Sequence, residues 1–273
     1  MVNIDLNIIT YAETYYSSLG YKKIDVPWII DEDIKKITAP PGKEGIDFRS
    51  RKLNASAEQS YLQLIKEKKI EPGKYVATTP CFRDEDQEDE LHQFYFLKTE
   101  LINFNLNDDT NLENKLQQTI KDALEFFEQY LPVKVAKTKI GYDIIDKKLE
   151  IELGSYGIRK HRFQSKNEVS WVYGTGVALP RLTQVLGLTK KVGYHETAIP
   201  KAKAGSFFKI LEEVEESKDA FINNNPIMLL QELADLMGAM ECYLDQEFQG
   251  KIGLEDLNTM RKVTKRAFLN GRR

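Results

Sequence analysis

The stretch Tyr75–Asn103, YVATTPCFRDEDQEDELHQFYFLKTELIN, contains two apolar segments separated by a strongly charged one. Apolar and aromatic residues at alternate positions predict a β-strand on each side, and the charged residues between them are unsuited to burial. A guanidinium held at a strand end can clamp a carboxylate or a phosphate. Arg83 and Glu85 are therefore candidate ligand-binding residues at the mouth of a sheet, the alternative being a solvated charged hairpin.

The composition is typical of a soluble globular protein: of 273 residues, 41% are hydrophobic and 30% are charged. No apolar run reaches the roughly 18 residues of a membrane-spanning helix, and the first residues lack the basic start of a signal peptide. Cys81 and Cys242 are far apart, and neither they nor the three histidines show metal-ligand spacing. These features favour a cytoplasmic protein with reduced thiols. The net charge of −3 does not favour nucleic-acid binding.

Hydrophobic periodicity predicts three helices in the first part of the chain. They span residues 3–19, a segment that starts after Ser56 as its N-cap, and residues 111–130. The segment KKIDVPWII, residues 22–30, predicts a strand that Pro27 confines to an edge or an interface.

Strands are also predicted over residues 133–163, where alternation places Glu150 and Glu152 on one face. Further along, glycines at 174 and 176 allow a close approach of the backbone, and an apolar helix follows them.

Three of these segments resemble, in order, the three motifs of the class II aminoacyl-tRNA synthetases. The first helix with the strand at Pro27 is similar to motif 1, and Tyr75–Asn103 is similar to motif 2. GTGVALPR, residues 174–181, is similar to motif 3, except that Pro180 stands where the motif usually has an acid or a small residue. The resemblance implies an α+β fold over residues 1–195, with an antiparallel sheet flanked by helices.

The same resemblance implies a chemistry and a set of site residues. A carboxylate would attack the α-phosphate of ATP, with Mg²⁺, to give an acyl-adenylate and pyrophosphate. Arg83 and Arg181 would be catalytic, Glu58 would read a substrate amine, and Glu152 with Ser155 would hold magnesium. The residues implied to bind ATP are Arg83, Glu85, Phe94, Glu152, Ser155, Gly174, Gly176 and Arg181.

The remaining residues predict a linker at 196–204 and a small all-α domain of three helices at 205–273. The apolar side is expected to carry Phe207, Ile210, Leu211 and Val214 in the first helix, and Met228, Leu229, Leu233, Leu236, Met237 and Met240 in the second. The same two helices place acids three or four residues apart on one face; these are Glu212, Glu213, Glu216, Glu232 and Asp235. They are either solvated acidic faces or a pair of cation-binding helices. The order E-E-x-x-E followed by E-x-x-D resembles the MazG-like nucleoside triphosphate pyrophosphohydrolases, including short bacteriophage proteins. In that family the five acids hold magnesium and the helices cradle a triphosphate.

The combined expectation is a homodimeric enzyme that activates an amino acid or another small carboxylic acid with ATP. Its tail would hydrolyse a nucleoside or deoxynucleoside triphosphate, and its location would be the cytoplasm, that of the host if the protein is from a phage. Because no anticodon-binding domain is evident, tRNA is not the favoured acceptor. The alternative is that only the tail is catalytic and the core is a nucleotide-binding, dimerisation or tRNA-binding module.

Overall fold

A computed structural model of the chain describes residues 5–40, 42–43, 45–84, 93–106, 110–163, 168–189, 195 and 198–269. Its internal contacts divide the chain into two units, residues 1–190 and 191–273. The first unit is α+β and the second is helical. Within the described ranges, no helix combines the length and the apolarity needed to cross a membrane.

The first unit contains five helices and ten strands within its described residues. The helices are α1 Leu6–Ser18, α2 Glu32–Thr38, α3 Ala57–Lys66, α4 Leu112–Glu128 and α5 Arg181–Thr189. The strands are β1 Lys22–Lys23, β2 Ile29–Ile30, β3 Asp47–Phe48, β4 Arg51–Leu53, β5 Gly73–Phe82, β6 Tyr95–Leu106, β7 Val133–Lys137, β8 Tyr142–Asp146, β9 Glu152–Arg162 and β10 Glu168–Leu179.

Seven strands form the main sheet in the order β1-β5-β6-β10-β9-β8-β7. The predicted hairpin is confirmed, because β5 and β6 pair antiparallel from Gly73↔Phe104 to Phe82↔Tyr95. The sheet is mixed and not purely antiparallel as predicted, because β1 runs parallel to β5. The predicted strand at residues 22–30 is also divided, since β1 joins this sheet while β2 joins a small sheet of order β2-β4-β3.

Helices cover both faces of the main sheet. On one face, α3 contributes Tyr61, Leu62 and Ile65 to a buried core that includes Trp171 and Phe104. On the other face, α1 and α4 contact β10. The sheet therefore has one face that is packed against α1 and α4, and a second face that is packed against α3.

One irregularity in β10 changes which side chains face which layer. The pairing of β10 with β6 shifts between Thr175 and Val177, so that Gly176 is the extra residue of a β-bulge. The hydroxyl of Tyr16, on α1, donates a hydrogen bond of 3.0 Å to the carbonyl of Gly176. The bulge is thus tied to a helix just before the strand leads to α5.

The second unit contains three described helices, α6 Phe207–Ile222, α7 Pro226–Phe248 and α8 Leu254–Leu269, as predicted. The segment predicted as a linker is in contact with them where it is described: the backbone N–H of Ala202 donates to the Glu212 carboxylate at 2.6 Å.

The prediction of the buried face of these helices was wrong. Four acids of α6 are buried, namely Glu212, Glu213, Glu216 and Asp219, whereas Phe207 and Val214, which were placed on the apolar side, are 51% and 41% exposed. On α7, Leu233 and Met237 are likewise exposed. The reason is that the acidic faces of α6 and α7 meet within the unit, which leaves apolar side chains outside.

Candidate functional site

One pocket of the first unit lies where β5 and β10 end and where β9 and α5 begin. Its described lining includes Arg83, Lys98, Glu152, Thr175, Arg181 and Gln184. The two predicted catalytic arginines, almost a hundred residues apart in sequence, therefore line the same pocket. The strands β5, β6, β10 and β9 are neighbours and run antiparallel. The last residues of β5 and β10 therefore lie beside the first residues of β6 and β9, which brings residues that are distant in sequence together.

Arg83 directly follows β5 and is held by its neighbours. Its backbone N–H donates to the carbonyl of Phe94 at 2.8 Å, which closes the hairpin. Its guanidinium lies over the ring of Phe96, with the central carbon 5.2 Å from the ring centre. Such stacking fixes the plane of the guanidinium, which suits it to planar anions.

Arg181 is the first residue of α5, as predicted. It donates a hydrogen bond of 3.2 Å from Nη1 to the backbone carbonyl of Glu152. This contact links the start of α5 to the start of β9. It holds the guanidinium of Arg181 next to Glu152, the acid that lines the pocket.

The residues predicted to hold magnesium, Glu152 and Ser155, lie close to a second acid that the sequence did not indicate. Asp143 on β8 pairs in register with Ser155 on β9. Burial, and next the charge of Glu152, raise the pKa of Asp143, while a hydrogen bond with Ser155 opposes the shift. Carboxylate and hydroxyl oxygens are the donors that magnesium accepts, so Asp143, Glu152 and Ser155 fit that ion. Glu150 is not part of the face, because it lies before β9 with a φ of 58°.

Glu58 has protein partners that the sequence did not indicate. Its carboxylate is 7% exposed and already has two partners, since Arg159 donates to Oε2 at 2.5 Å and Trp171 Nε1 donates to Oε1 at 2.7 Å. The central carbon of Arg159 also lies 4.4 Å from the ring centre of Tyr173. These two donors show that Glu58 holds Arg159 and Trp171, while each carboxylate oxygen keeps a second lone pair. The role of Glu58 in reading a substrate amine therefore stays a prediction.

Another acid performs the capping that the sequence assigned to Ser56. Ser56 precedes α3, but its side chain makes no capping hydrogen bond. Oε2 of Glu100 instead accepts from the backbone N–H groups of Ala57 and Glu58, and Oε1 accepts from Lys98 at 2.6 Å. Glu100 thereby connects α3 to Lys98 in the pocket, a link between distant residues that no local pattern reveals.

The two glycines predicted to bind ATP face the helices instead. A Cβ on Gly174 would lie 2.7 Å from the Tyr156 ring and 2.9 Å from Thr119, and a Cβ on Gly176 would lie 2.9 Å from the ring of Tyr16. Close packing of α1 and α4 is thus a sufficient reason for both glycines.

Of the last two predicted ATP-binding residues, Phe94 lies at the described part of the hairpin. Phe94 is at its mouth with its side chain 42% exposed, and Phe96, two residues later, lines the pocket. Glu85 lies outside the described residues.

Comparison with known protein families gives one match, to the model described as tRNA synthetases class II core domain (F), over residues 48–195. This range covers more than half of the chain. The chain belongs to the class II tRNA synthetase core family. The match ends before the helices α6 to α8, so it concerns the first unit.

Solved structures show the same fold for this synthetase core. One is the cytoplasmic serine-tRNA ligase of Naegleria fowleri in complex with AMP, at 18% identity and a TM-score of 0.51, over 64% of this chain and 46% of that one. Another is PylSc, a pyrrolysyl tRNA synthetase of Desulfitobacterium hafniense, at 16% identity and a TM-score of 0.50, over 73% of each chain. The chain thus spans less than half the length of the Naegleria protein. Among curated protein sequences there is no match.

Beyond the class II core, the second unit brings the predicted acids together. Oxygens of Glu212, Glu213 and Glu216 lie within 4.8 Å of one another, as do those of Glu213, Glu232 and Asp235. All except Asp235 are buried, with exposures of 2–6%.

Two lysines neutralise part of this charge. Lys209 contacts Glu212 at 2.8 Å and Glu213 at 2.6 Å, and Lys201 contacts Glu212 at 3.1 Å and also Glu216. Oε2 of Glu213 is buried without a hydrogen-bond partner within the described chain. Burial raises the pKa of Glu213, and the Lys209 ammonium opposes that shift. The acids are therefore turned inward around a partly compensated negative site.

Proposed function

We propose that the first unit activates a carboxylic acid, in the simplest case an amino acid, by transferring AMP from ATP to it. The observation that carries the proposal is the presence of Arg83 and Arg181 in one pocket together with Glu152. Membership of the class II core family supports ATP as the co-substrate, and the AMP bound to the Naegleria fowleri ligase supports an adenylate as the ligand.

In this proposal the carboxylate oxygen of the acid attacks the α-phosphorus of ATP. The bond from phosphorus to the bridging oxygen breaks, and pyrophosphate leaves with the electron pair. Arg83, fixed by Phe96 at the end of β5, stabilises the charge that develops on the α-phosphate. Arg181 holds the far phosphate, and Lys98 adds a third positive charge to the same wall.

Magnesium, when bound, would neutralise phosphate charge and thereby assist departure of pyrophosphate. Asp143, Glu152 and Ser155 are the residues whose oxygens would hold it. Their part is to fix oxygen donors at the first residues of β8 and β9, where Glu152 lies in the same pocket as the two arginines, so that the phosphates are oriented before reaction.

The test is exchange of labelled pyrophosphate into ATP, screened over the amino acids and small carboxylic acids. Arg83→Ala and Arg181→Ala should each lower the exchange rate at least about 100-fold, the usual loss for one transition-state contact. Arg162→Ala is the matched control, because this arginine is an exposed residue of β9 paired with Glu168. Loss of exchange in the control, or full exchange in either pocket variant, contradicts the proposal.

The same screen separates the alternative function. If the protein binds ATP but no acid supports exchange, the core acts as a nucleotide-binding or tRNA-binding module. A gel shift with tRNA at low salt then tests whether the core binds tRNA, a partner that the near-neutral net charge does not favour.

For the second unit we propose a magnesium-dependent pyrophosphohydrolase of the MazG-like kind, acting on a nucleoside or deoxynucleoside triphosphate. The supporting observation is the buried Oε2 of Glu213, which has no hydrogen-bond partner in the described chain and lies among the carboxylates of Glu212, Glu216, Glu232 and Asp235. Buried like charges with an uncompensated oxygen favour a cation.

Release of pyrophosphate from triphosphates measures this activity. Glu213→Gln should abolish it, while Glu215→Gln should not, because Glu215 is on the same helix but is 41% exposed and paired with Lys218. Equal activity in the two variants counts against the proposed metal site. The expectation of a bacteriophage origin rests only on the resemblance to short MazG-like proteins of bacteriophages.

We also propose that a second copy of the chain covers the exposed apolar side chains of α6 and α7, giving a homodimer. Ile227 and Leu230 are 82% and 71% exposed, which is unusual for neighbouring apolar residues on one helix. Light scattering of the purified chain measures the mass; a monomer at micromolar concentration removes this part of the proposal.

A further inference from the structure

His195 lies among buried acids of the second unit, although its sequence position shows no metal-binding pattern. Its Nε2 is 3.8 Å from Oε1 of Glu216 and 3.7 Å from Oε1 of Glu232. Its other ring nitrogen, Nδ1, is 3.2 Å from Oδ2 of Asp219. The carboxylates of Glu216, Asp219 and Glu232 are 5–6% exposed, and the histidine side chain is 19% exposed.

This arrangement separates the roles of the two ring nitrogens. A neutral imidazole that donates its Nδ1 proton to Asp219 presents a lone pair at Nε2, in the direction of two carboxylates that can only accept. Histidines that bind metals commonly donate their other nitrogen to a carboxylate, which fixes the tautomer and the ring orientation. The Asp219–His195 pair has that form.

We propose that His195, Glu216 and Glu232 form a site for a divalent transition-metal ion, with Asp219 as the residue that orients the histidine. The three ligand atoms lie within 4.8 Å of one another. Ligands bound at about 2.1 Å in a tetrahedral arrangement are about 3.4 Å apart, so distances of 3.7 and 3.8 Å need only a small contraction around an ion.

The charge balance of the cluster supports a cation at this position. Glu216 and Glu232 face each other, and both carboxylates are buried. The positive charge that now meets Oε1 of Glu216 is the ammonium of Lys201, whose side chain is 63% exposed. An exposed lysine holds such a contact weakly, so an ion can displace it at small cost.

The nitrogen ligand determines the class of metal. Imidazole suits iron, cobalt, nickel and zinc, whereas magnesium prefers a set of oxygens only. The site shares Glu216 and Glu232 with the magnesium set proposed above, but it is a separate position, and it does not depend on hydrolysis of a triphosphate.

The test uses Co²⁺ as the probe, added to the full chain, without an affinity tag, after treatment with a chelator. Mg²⁺ is left out of this titration, because it would compete for Glu216 and Glu232, which belong to both sets of ligands. Calorimetry should show one Co²⁺ ion whose affinity falls at least about 10-fold in His195→Ala and about 10-fold in Asp219→Asn, as is usual for loss of an orienting partner. His161→Ala, a histidine of β9 in the first unit, should bind Co²⁺ as the wild type does.

A spectroscopic signature separates ligation from a merely structural effect. Proton NMR of the Co²⁺ protein should show a strongly shifted, exchangeable imidazole N–H resonance from the Nδ1 proton held by Asp219. This resonance should be absent in His195→Ala and should broaden in Asp219→Asn, because loss of the carboxylate speeds exchange with water. Circular dichroism of each variant checks that the helices are intact.

The proposal is overturned if Co²⁺ does not bind, if His195→Ala binds it as tightly as the wild type, or if no shifted imidazole resonance appears. The hydrolysis assay is read separately with Mg²⁺ alone. If hydrolysis is observed but the Co²⁺ results are negative, the histidine site is refuted and the magnesium proposal is not. If Co²⁺ binds as expected but hydrolysis is absent, the pyrophosphohydrolase proposal is refuted and the histidine site is not.

Discussion

The pair formed by Glu58 and Arg159 allows a quantitative prediction about the first unit. Glu58→Gln keeps the shape of the side chain, but one of its two terminal atoms becomes an N–H donor. With the amide oxygen accepting from Trp171, the amide nitrogen faces the guanidinium of Arg159, where donor meets donor. Loss of a buried acceptor costs about 1–3 kcal/mol. Because the Arg159 side chain is 32% exposed and can regain water, we expect about 2 kcal/mol at pH 7.

A change of this size should lower the melting temperature of the first unit by about 4–8 °C. Both tryptophans of the chain, Trp28 and Trp171, lie in this unit, so fluorescence of the intact protein reports its unfolding alone. The matched control is Glu168→Gln at the exposed pair with Arg162, where the loss should stay below about 1 kcal/mol.

The pH dependence of this prediction has a definite sign. Burial raises the pKa of Glu58, and Arg159 and Trp171 only oppose that shift. In the window just above the ordinary glutamate pKa, the folded protein therefore retains a proton that the unfolded chain has released. The stability advantage of wild type over Glu58→Gln should shrink as the pH rises through that window. A melting temperature equal in wild type and Glu58→Gln at every pH would refute the reasoning, as would an equal loss in the control.

Three further predictions follow from other contacts. Tyr16→Phe removes the hydroxyl that donates to the Gly176 carbonyl, so the first unit should lose about 1–2 kcal/mol in urea unfolding; an unchanged midpoint contradicts this. Burial raises the pKa of Cys81 to about 12, whereas Cys242 is exposed, so Ellman's reagent at pH 8 should find one fast thiol in the native protein and a second only after unfolding. Lys201→Met removes the cation that competes at Glu216, so Co²⁺ should bind about fivefold more tightly, with no such gain when an exposed lysine elsewhere on α6 is changed.

Much of the first unit could be predicted from the sequence because its signals are local. Alternating residues around the charged loop gave the β5–β6 hairpin, and the glycine-rich segment before Arg181 gave the junction of β10 and α5. The meeting of Arg83 and Arg181 in one pocket was also expected, since the order of the three motifs implies a particular sheet. The use of these residues in catalysis stays a prediction.

The environment of Glu58 could not be predicted, because its partners come from far along the chain. Trp171 is 113 residues away and Arg159 is 101 residues away, and no spacing in the sequence relates them. Asp143 was missed for a similar reason, since its importance depends on which residue of β9 pairs with it.

The helices of the second unit show a different limit. Periodicity located α6 and α7 correctly, but it assigned the apolar stripe to the interior. A pattern on one helix cannot show which of its faces meets the neighbouring helix. His195 was dismissed because ligand spacing was sought along the chain, whereas its partners lie on two separate helices.

The bulge at Gly176 has a consequence for how this chain can vary. Every residue before it on β10 alternates between the two layers in one phase, and every residue after it alternates in the other. Insertion of a single residue between Val177 and Arg181 would therefore exchange inside for outside over the last residues of the strand and would carry the guanidinium to the wrong side. The length of the connection between α4 and β7 does not determine which face of the sheet a side chain lies on. Natural relatives should accordingly differ in length at that connection and keep the count from the bulge to the arginine constant.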